Sequence, residues 1–175
     1  MKLLKSLAAA AAMVALTGAA QAALDSLGNG TVRDTNTNLI WLQNWNVNGI
    51  ANWGAQKTWA ETTLDGFAGS NEWRLPEISE YGALLTAYGD LTLRAEFANV
   101  QPGFYWSGTE VVPGIVAWTF VPDVGLQLVG FQDFQFFAVA VRPGDVAASV
   151  PEPQTLALAL LALGAMVVAR RRRPR

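Results

Sequence analysis

Two side chains are missing from this sequence altogether: its 175 residues include no cysteine and no histidine. Without cysteine no disulfide can staple the fold, so an exported domain of this composition must be held together by packing. Without histidine the usual serine and cysteine triads have no base, and zinc loses its favoured ligands. A Gly-rich phosphate loop and a repeat of fixed period are also absent. Basic residues are scarce between Ala23 and Val150, where 13 acidic side chains face 5 basic ones, a net charge of about −8. Such a surface repels phosphate backbones, which argues against nucleic acid as a partner. Long hydrophobic runs are lacking too. The apolar run from Thr155 to Ala169 would reach only about 23 Å as a helix, against a hydrocarbon core of about 30 Å. A segment this short suits a transient anchor better than a permanent span.

The two ends carry the strongest signals. Lys2 and Lys5 precede an apolar stretch from Leu7 to Leu16, and Ala20-Gln21-Ala22 is a small-x-small cleavage site. Together they form a secretory signal peptide over 1–22, cut between Ala22 and Ala23 by signal peptidase after passage through the Sec translocon. At the other end Val150, Pro151, Glu152 and Pro153 precede the apolar run, which stops at Arg170, Arg171, Arg172 and Arg173. Fixed positive charge resists crossing a bilayer, so the arginines stay in the cytoplasm while everything before the run lies outside. Residues 23–145 are then one domain, 146–153 a linker ending in the Pro-Glu-Pro motif, and 154–175 the hydrophobic segment and arginine tail. About 128 residues remain after both ends are removed, enough for one core. All seven tryptophans fall in that part and supply its bulk.

Within the domain, Thr31 to Asp34 and Leu39 to Leu42 are β-prone runs around the turn formers Thr35 to Asn38, a predicted hairpin. Asn44 to Gly54 has no period and is expected to be an ordered loop. The apolar spacing of Trp59, Ala60, Thr63 and Leu64 predicts a helix over 55–64. A second helix is expected from Pro76 to Tyr88, with Glu77 and Glu80 at its positive end, Ile78, Tyr81, Leu85 and Tyr88 on one face, and Gly89 as the stop. Strands are expected around Phe104 to Ser107, Ile115 to Val121 and Phe136 to Arg142. The last is apolar on both sides and reads as a central strand. Helices early and strands late make the fold class α+β.

Candidate sites are few. Asp34, Asn36 and Asn38 imitate half of an EF-hand loop, but Leu39 stands where glycine is needed and Trp45 where the bidentate glutamate is needed, so a turn accounts for them better. No metal or other cofactor is expected. Glu61 and Asp65 are spaced as a helical carboxylate pair, the weak basis for a carboxylate-dependent hydrolase, yet nothing marks a nucleophile and the chain is not expected to be an enzyme. Asn29-Gly30-Thr31 fits a glycosylation triplet and is left unassigned. The loop with Asn44, Trp45, Asn46, Asn48, Asn52 and Trp53 is the candidate ligand surface, because amides bond hydroxyls and indoles stack on sugar faces. Core packing of those tryptophans is the competing account. Trp73 and Arg74, just ahead of the second helix, are expected to place the indole in the core and the guanidinium on a carboxylate or a ring.

Two resemblances follow. Pro151-Glu152-Pro153, the apolar run and the arginine cluster resemble the PEP-CTERM sorting signal of Gram-negative bacteria. That likeness implies cleavage by an exosortase, transient inner-membrane anchoring, then a place at the cell surface or in the extracellular matrix, often beside exopolysaccharide production. Asp34 to Trp41, Trp73-Arg74-Leu75-Pro76, Tyr105-Trp106-Ser107-Gly108-Thr109-Glu110, Ala117-Trp118 and Val139 to Gly144, the last containing Arg142, resemble in order the Lcl C-terminal domain family. The likeness implies a C-type-lectin-like domain with two short helices and an antiparallel sheet. The Glu-Pro-Asn or Gln-Pro-Asp triplets of sugar-binding C-type lectins have no counterpart: Gln101-Pro102-Gly103 and Val121-Pro122-Asp123 do not match. The expected function is a non-catalytic binding module for exopolysaccharide or another surface macromolecule, with a self-associating structural component of a biofilm matrix as the alternative.

Glu152→Ala, or deletion of the terminal arginines, should leave full-length protein in the inner-membrane fraction while the parent sequence yields a shorter external form. Fractionation with immunoblotting checks this, and identical processing of variant and parent would count against the sorting signal.

Overall fold

A computed structural model describes residues 22–144. Apart from Ala22, the expected signal peptide lies outside these residues, as do the linker, the sorting motif and the arginine tail.

The expected hairpin forms between β2 (Thr31–Asp34) and β3 (Leu39–Leu42), antiparallel with Asp34 opposite Leu39 and Thr31 opposite Leu42. Its turn is fixed by the first side chain. The Asp34 carboxylate accepts from Asn36 N at 2.8 Å and from the Thr37 hydroxyl at 2.6 Å, an Asx turn that Asn38 closes at φ 54°. Asp34 is fully buried, and the Tyr88 hydroxyl lies 2.5 Å from its Oδ1. Both carboxylate oxygens therefore have donors within the domain. A further strand, β1 (Leu24–Ser26), pairs with the outer edge of β2. It was not anticipated, since three residues that include Asp25 and Ser26 carry no apolar period.

α1 (Trp53–Thr58) starts two residues before the expected helix, because Asn52 caps it through Ala55 N at 2.8 Å, and continues as a π turn over Trp59–Thr63. α2 (Ile78–Tyr88) starts two residues later than expected. Pro76 stays outside the helix with its carbonyl accepting from Gly108 N at 2.8 Å, and Glu77 is the cap, in a reciprocal box with Glu80. Gly89 ends the helix at φ 73°.

Instead of one antiparallel sheet there are two. The first has the order β1, β2, β3, β7, where β7 is Val141–Pro143. The second comprises β4 (Tyr105–Val112), β5 (Val116–Phe120) and β6 (Gln127–Phe131), in that order. Phe136 to Arg142 is accordingly not the regular central strand the alternation suggested. Only its end joins a sheet, at the edge beside β3. The rest makes single bridges, Phe136 to Ala51 and Phe137 to Tyr105, and Val141 of β7 also bridges to Arg74, while Ala138 to Val141 are buried. The segment is apolar on both sides because it threads between the sheets rather than pairing within one.

One aromatic cluster joins these parts. Trp41 of β3 stacks on Trp45 at 6.0 Å and 12°, Trp45 meets Tyr105 of β4 edge-on at 5.4 Å, and Tyr81 of α2 stacks on Phe120 of β5 at 4.6 Å and 11°. Tyr81 also lies 5.7 Å from Trp41.

All three tyrosines of the chain have phenols held above the ordinary value: Tyr81 by burial, Tyr88 by burial and then Asp34, and Tyr105 by burial up to about 12. The folded state thus favours the neutral phenol. Its contribution to stability is complete below the unfolded value of about 10 and is lost as pH rises toward the folded values. Denaturant midpoints measured up the alkaline range should fall above about pH 10, with tyrosinate absorbance appearing together with unfolding. Tyrosinate formed by the intact fold at the ordinary pH would contradict this.

Candidate binding face

The loop singled out from sequence turns its side chains inward. Trp45 is 0% exposed, and Trp53 is buried with its Nε1 donating to Ser107 O at 2.8 Å. The amides are also engaged in structure. Asn44 Oδ1 accepts from Asn46 N at 3.0 Å and Asn99 Nδ2 at 3.2 Å, Asn48 Nδ2 donates to Gln56 Oε1 at 3.0 Å, and Asn52 caps α1. Asn46 is half-buried. The stacking surface anticipated at Trp45 and Trp53 is therefore corrected: both indoles belong to the core, and neither presents a face to a ligand.

The residues around Trp73 hold loops to helix and sheet. Trp73 is buried, its Nε1 donates to Phe67 O at 3.0 Å, and the Arg142 guanidinium lies 5.7 Å over its ring. Arg74 takes the carboxylate option, with Nη1 2.8 Å and Nη2 2.6 Å from the two Glu80 oxygens. That bidentate hydrogen bond raises the Arg74 pKa despite partial burial. Leu75 and Pro76 are buried, and Trp106 is buried with Nε1 donating to Ala51 O at 3.1 Å. Glu77 is bonded by the Thr109 hydroxyl, which itself accepts from Ile78 N at 3.0 Å. Glu61, one of the helical carboxylate pair, lies 3.9 Å from Lys57 on the surface. Among the described residues no group of three or more acidic side chains is placed to hold a metal ion.

An open surface exists elsewhere, on the second sheet. The β4–β5 hairpin closes at Val112-Pro113-Gly114-Ile115, where Ile115 N bonds Val112 O at 3.0 Å and Gly114 has φ 73°, the geometry of a type II turn with proline and glycine in their favoured places. The β5–β6 connection needs Gly125, whose φ is 71° and where an added Cβ would lie 2.1 Å from Leu85 of α2. These turns set the register: Val116 faces Phe131, Trp118 faces Val129 and Phe120 faces Gln127. Directly opposed residues share a face, and alternate residues along a strand do too. Val112, Val116, Trp118, Phe120, Gln127, Val129 and Phe131 therefore line one side of the sheet. Its inner neighbours Ala117 and Gly130 lie on the other side, where a Cβ on Gly130 would come within 3.1 Å of Trp106.

α2 covers only half of this side. Phe120 is buried against Tyr81, whereas Val129 and Phe131 are 54% and 56% exposed, Val112 is exposed, and Val116 and Trp118 are half-buried. The result is an apolar strip with a tryptophan and a phenylalanine at its surface. Neither β5 nor β6 contains an ionisable side chain, and the outer edge of β6 has no neighbour among the described residues. Glu110, exposed beside the hairpin turn, has its pKa lowered by Gly114 N and then by Gln132. In the sequence Ala117-Trp118 reads as part of a β-prone run and as a family motif, not as a contact surface. The available signal was the run Gln127 to Phe131, apolar at successive rather than alternate positions beside an exposed turn.

The order of Trp73-Arg74-Leu75-Pro76, β4, Trp118 and β7 on this framework agrees with the comparison to known families, in which the Lcl C-terminal domain matches residues 30–142. The chain belongs to the Lcl C-terminal domain family. The PEP-CTERM protein-sorting motif matches residues 149–173, which marks this Lcl C-terminal domain protein for export, for processing by exosortase and for anchoring at the cell surface. No curated protein matches the chain. In the Lcl C-terminal domain, then, the conspicuous motif residues other than Trp118 serve the framework, and the exposed strip, with Trp118 in it, lies on the sheet they support.

Trp45→Ala should lower the unfolding free energy by about 3–5 kcal/mol, the cost of emptying a large core site, whereas Phe131→Ser should change it by less than about 1 kcal/mol. Urea denaturation of the two variants tests the assignment of core and surface, and equal losses would refute it.

Proposed function

We propose that the mature protein is a non-catalytic binding module displayed at the cell surface, with the open half of the β4–β5–β6 face as its contact surface and a neutral extracellular polysaccharide as its ligand. Support comes from the strip of Trp118, Val129 and Phe131. Aromatic rings at a flat surface stack on the apolar faces of sugar rings, and the neighbouring Gln127 amide can bond hydroxyls. The surrounding charge selects among polysaccharides. A domain with 13 acidic and 5 basic side chains between Ala23 and Val150 repels polyanions, so an uncharged polymer meets the strip without that penalty. Passage through the Sec translocon, trimming by signal peptidase and residence beside a biofilm exopolysaccharide belong to the same proposal.

One observation favours a second role. An unpaired edge strand without charge or proline is a template for another strand, and β6 is such a strand, which fits a self-associating matrix component. The two are separated by one set of measurements on the exported protein. Affinity for neutral exopolysaccharide should fall at least about tenfold, or about 1.4 kcal/mol, on Trp118→Ala or Phe131→Ser, with the protein sedimenting as a single unchanging species. Mass that grows with concentration, without polysaccharide binding, would replace the binding module by the matrix component. Turnover of the polysaccharide that Glu61→Gln abolishes would replace it by a hydrolase.

A further inference from the structure

The chain is gripped where it enters β1. The Ala23 carbonyl lies within hydrogen-bond distance of three donors, Thr35 N at 3.0 Å, the Tyr88 hydroxyl at 3.0 Å and the Thr35 hydroxyl at 3.1 Å. Ala23 N in turn donates to Thr35 Oγ1 at 2.8 Å. Tyr88 is itself fixed, sharing its hydroxyl proton with Asp34 Oδ1 at 2.5 Å. Beside this grip is a cleft of about 230 Å³ lined by Ala22, Ala23, Leu24, Tyr88, Arg94 and Glu96. So much anchoring is unusual for a segment at the margin of a domain, where chain ends are poorly ordered unless tied down.

Hydrolysis of the Ala22–Ala23 amide by signal peptidase adds water across that bond, leaving the carboxylate on Ala22 and the amine on Ala23. An α-amino group has a pKa near 7.7–8.0, so at neutral pH Ala23 N becomes an ammonium. It then carries two more N–H donors than the amide it replaces, together with a full positive charge, and departure of Ala22 opens the cleft on that side. We propose that this cleft is the binding site of the α-ammonium created by signal-peptide removal, with Thr35 Oγ1 as its fixed acceptor and Glu96 as its counter-ion. The proposal rests on cleavage after Ala22. The charged groups around the site are Asp34 of β2, Asp25 of β1 with Arg33 opposite it, and Glu96 with Arg94 in the cleft, three carboxylates against two guanidinium groups, while Tyr88 from α2 stays a neutral phenol. Maturation thereby pins the first strand. β1 has three residues and, among the described residues, pairs with β2 alone, so an ion pair at its start acts on a short edge strand of the first sheet.

Because a counter-ion favours the charged amine in the folded state, its stabilisation is complete below the unfolded α-amino value of about 8 and disappears as pH rises through the folded value. The test uses the exported protein, whose N-terminal residue is first read by mass spectrometry, with and without selective acetylation of the α-amine. Acetylation should lower the melting temperature by about 3 °C near pH 6.5 and have no effect near pH 10, where the free α-amine is as neutral as the acetylated one. Glu96→Gln should shrink the difference, and titration of the isotopically methylated α-amine should give a value above the ordinary one. A chain that begins at Ala23 but melts alike in both forms, with an ordinary α-amine, would overturn the docking site while leaving the cleavage position intact. A chain beginning elsewhere would overturn both.

Discussion

The fold depends on contact between aromatic rings that belong to different layers. Trp41 comes from the first sheet, Trp45 from a loop, Tyr81 from α2, and Tyr105 and Phe120 from the second sheet. Each such pair contributes about 0.5–1.5 kcal/mol beyond the area it buries. In a chain with no cysteine these contacts are what tie the two sheets and the helix into one body. They also dictate what the tryptophans cannot do. A ring stacked at the centre of the domain is not available to a ligand, so any contact surface has to lie beyond the reach of this cluster.

Polar groups around the core follow from the same constraint. Asp34 is buried but receives donors from its own turn and from Tyr88, and Glu80 is matched by both Arg74 nitrogens. A buried carboxylate is tolerable only when its lone pairs are satisfied. These pairs do more than neutralise charge. Arg74 and Glu80 fix the strand-like segment ahead of α2 to the helix, and Tyr88 joins the far end of the helix to the first hairpin. With α2 held at both ends, it covers the Phe120 end of the second sheet and leaves the Trp118, Val129 and Phe131 end open. The exposed strip is therefore a consequence of where the helix is anchored.

Local signals were legible in the sequence wherever the cause was local. The hairpin at Thr35 to Asn38 follows from side chains that bond their own backbone, and α2 from an acidic cap, a 3.6-residue apolar period and a terminal glycine. Its start was misplaced by two residues because Pro76 is bound across the domain by Gly108, a contact between positions 32 apart. Phe136 to Arg142 has the composition of a central strand and is indeed buried over Ala138 to Val141. Composition reports burial, however, and not which partner supplies the hydrogen bonds. The loop from Asn44 to Trp53 suffered the opposite ambiguity: a tryptophan beside asparagines looks the same whether the ring packs inward or faces solvent.

Order and composition alone carry the export signal and the absence of thiol and imidazole groups. A sorting motif is read as a linear segment by membrane machinery, so order and composition suffice for it, and a side chain absent from the chain is absent from every fold. Which aromatics are core and which are surface is settled by the folded arrangement. Trp45 is enclosed by Tyr81 and Tyr105, about 36 and 60 positions away, whereas Phe131 projects from an edge strand and is 56% exposed. Burial is a property of long-range neighbours, and no local stretch of sequence contains them.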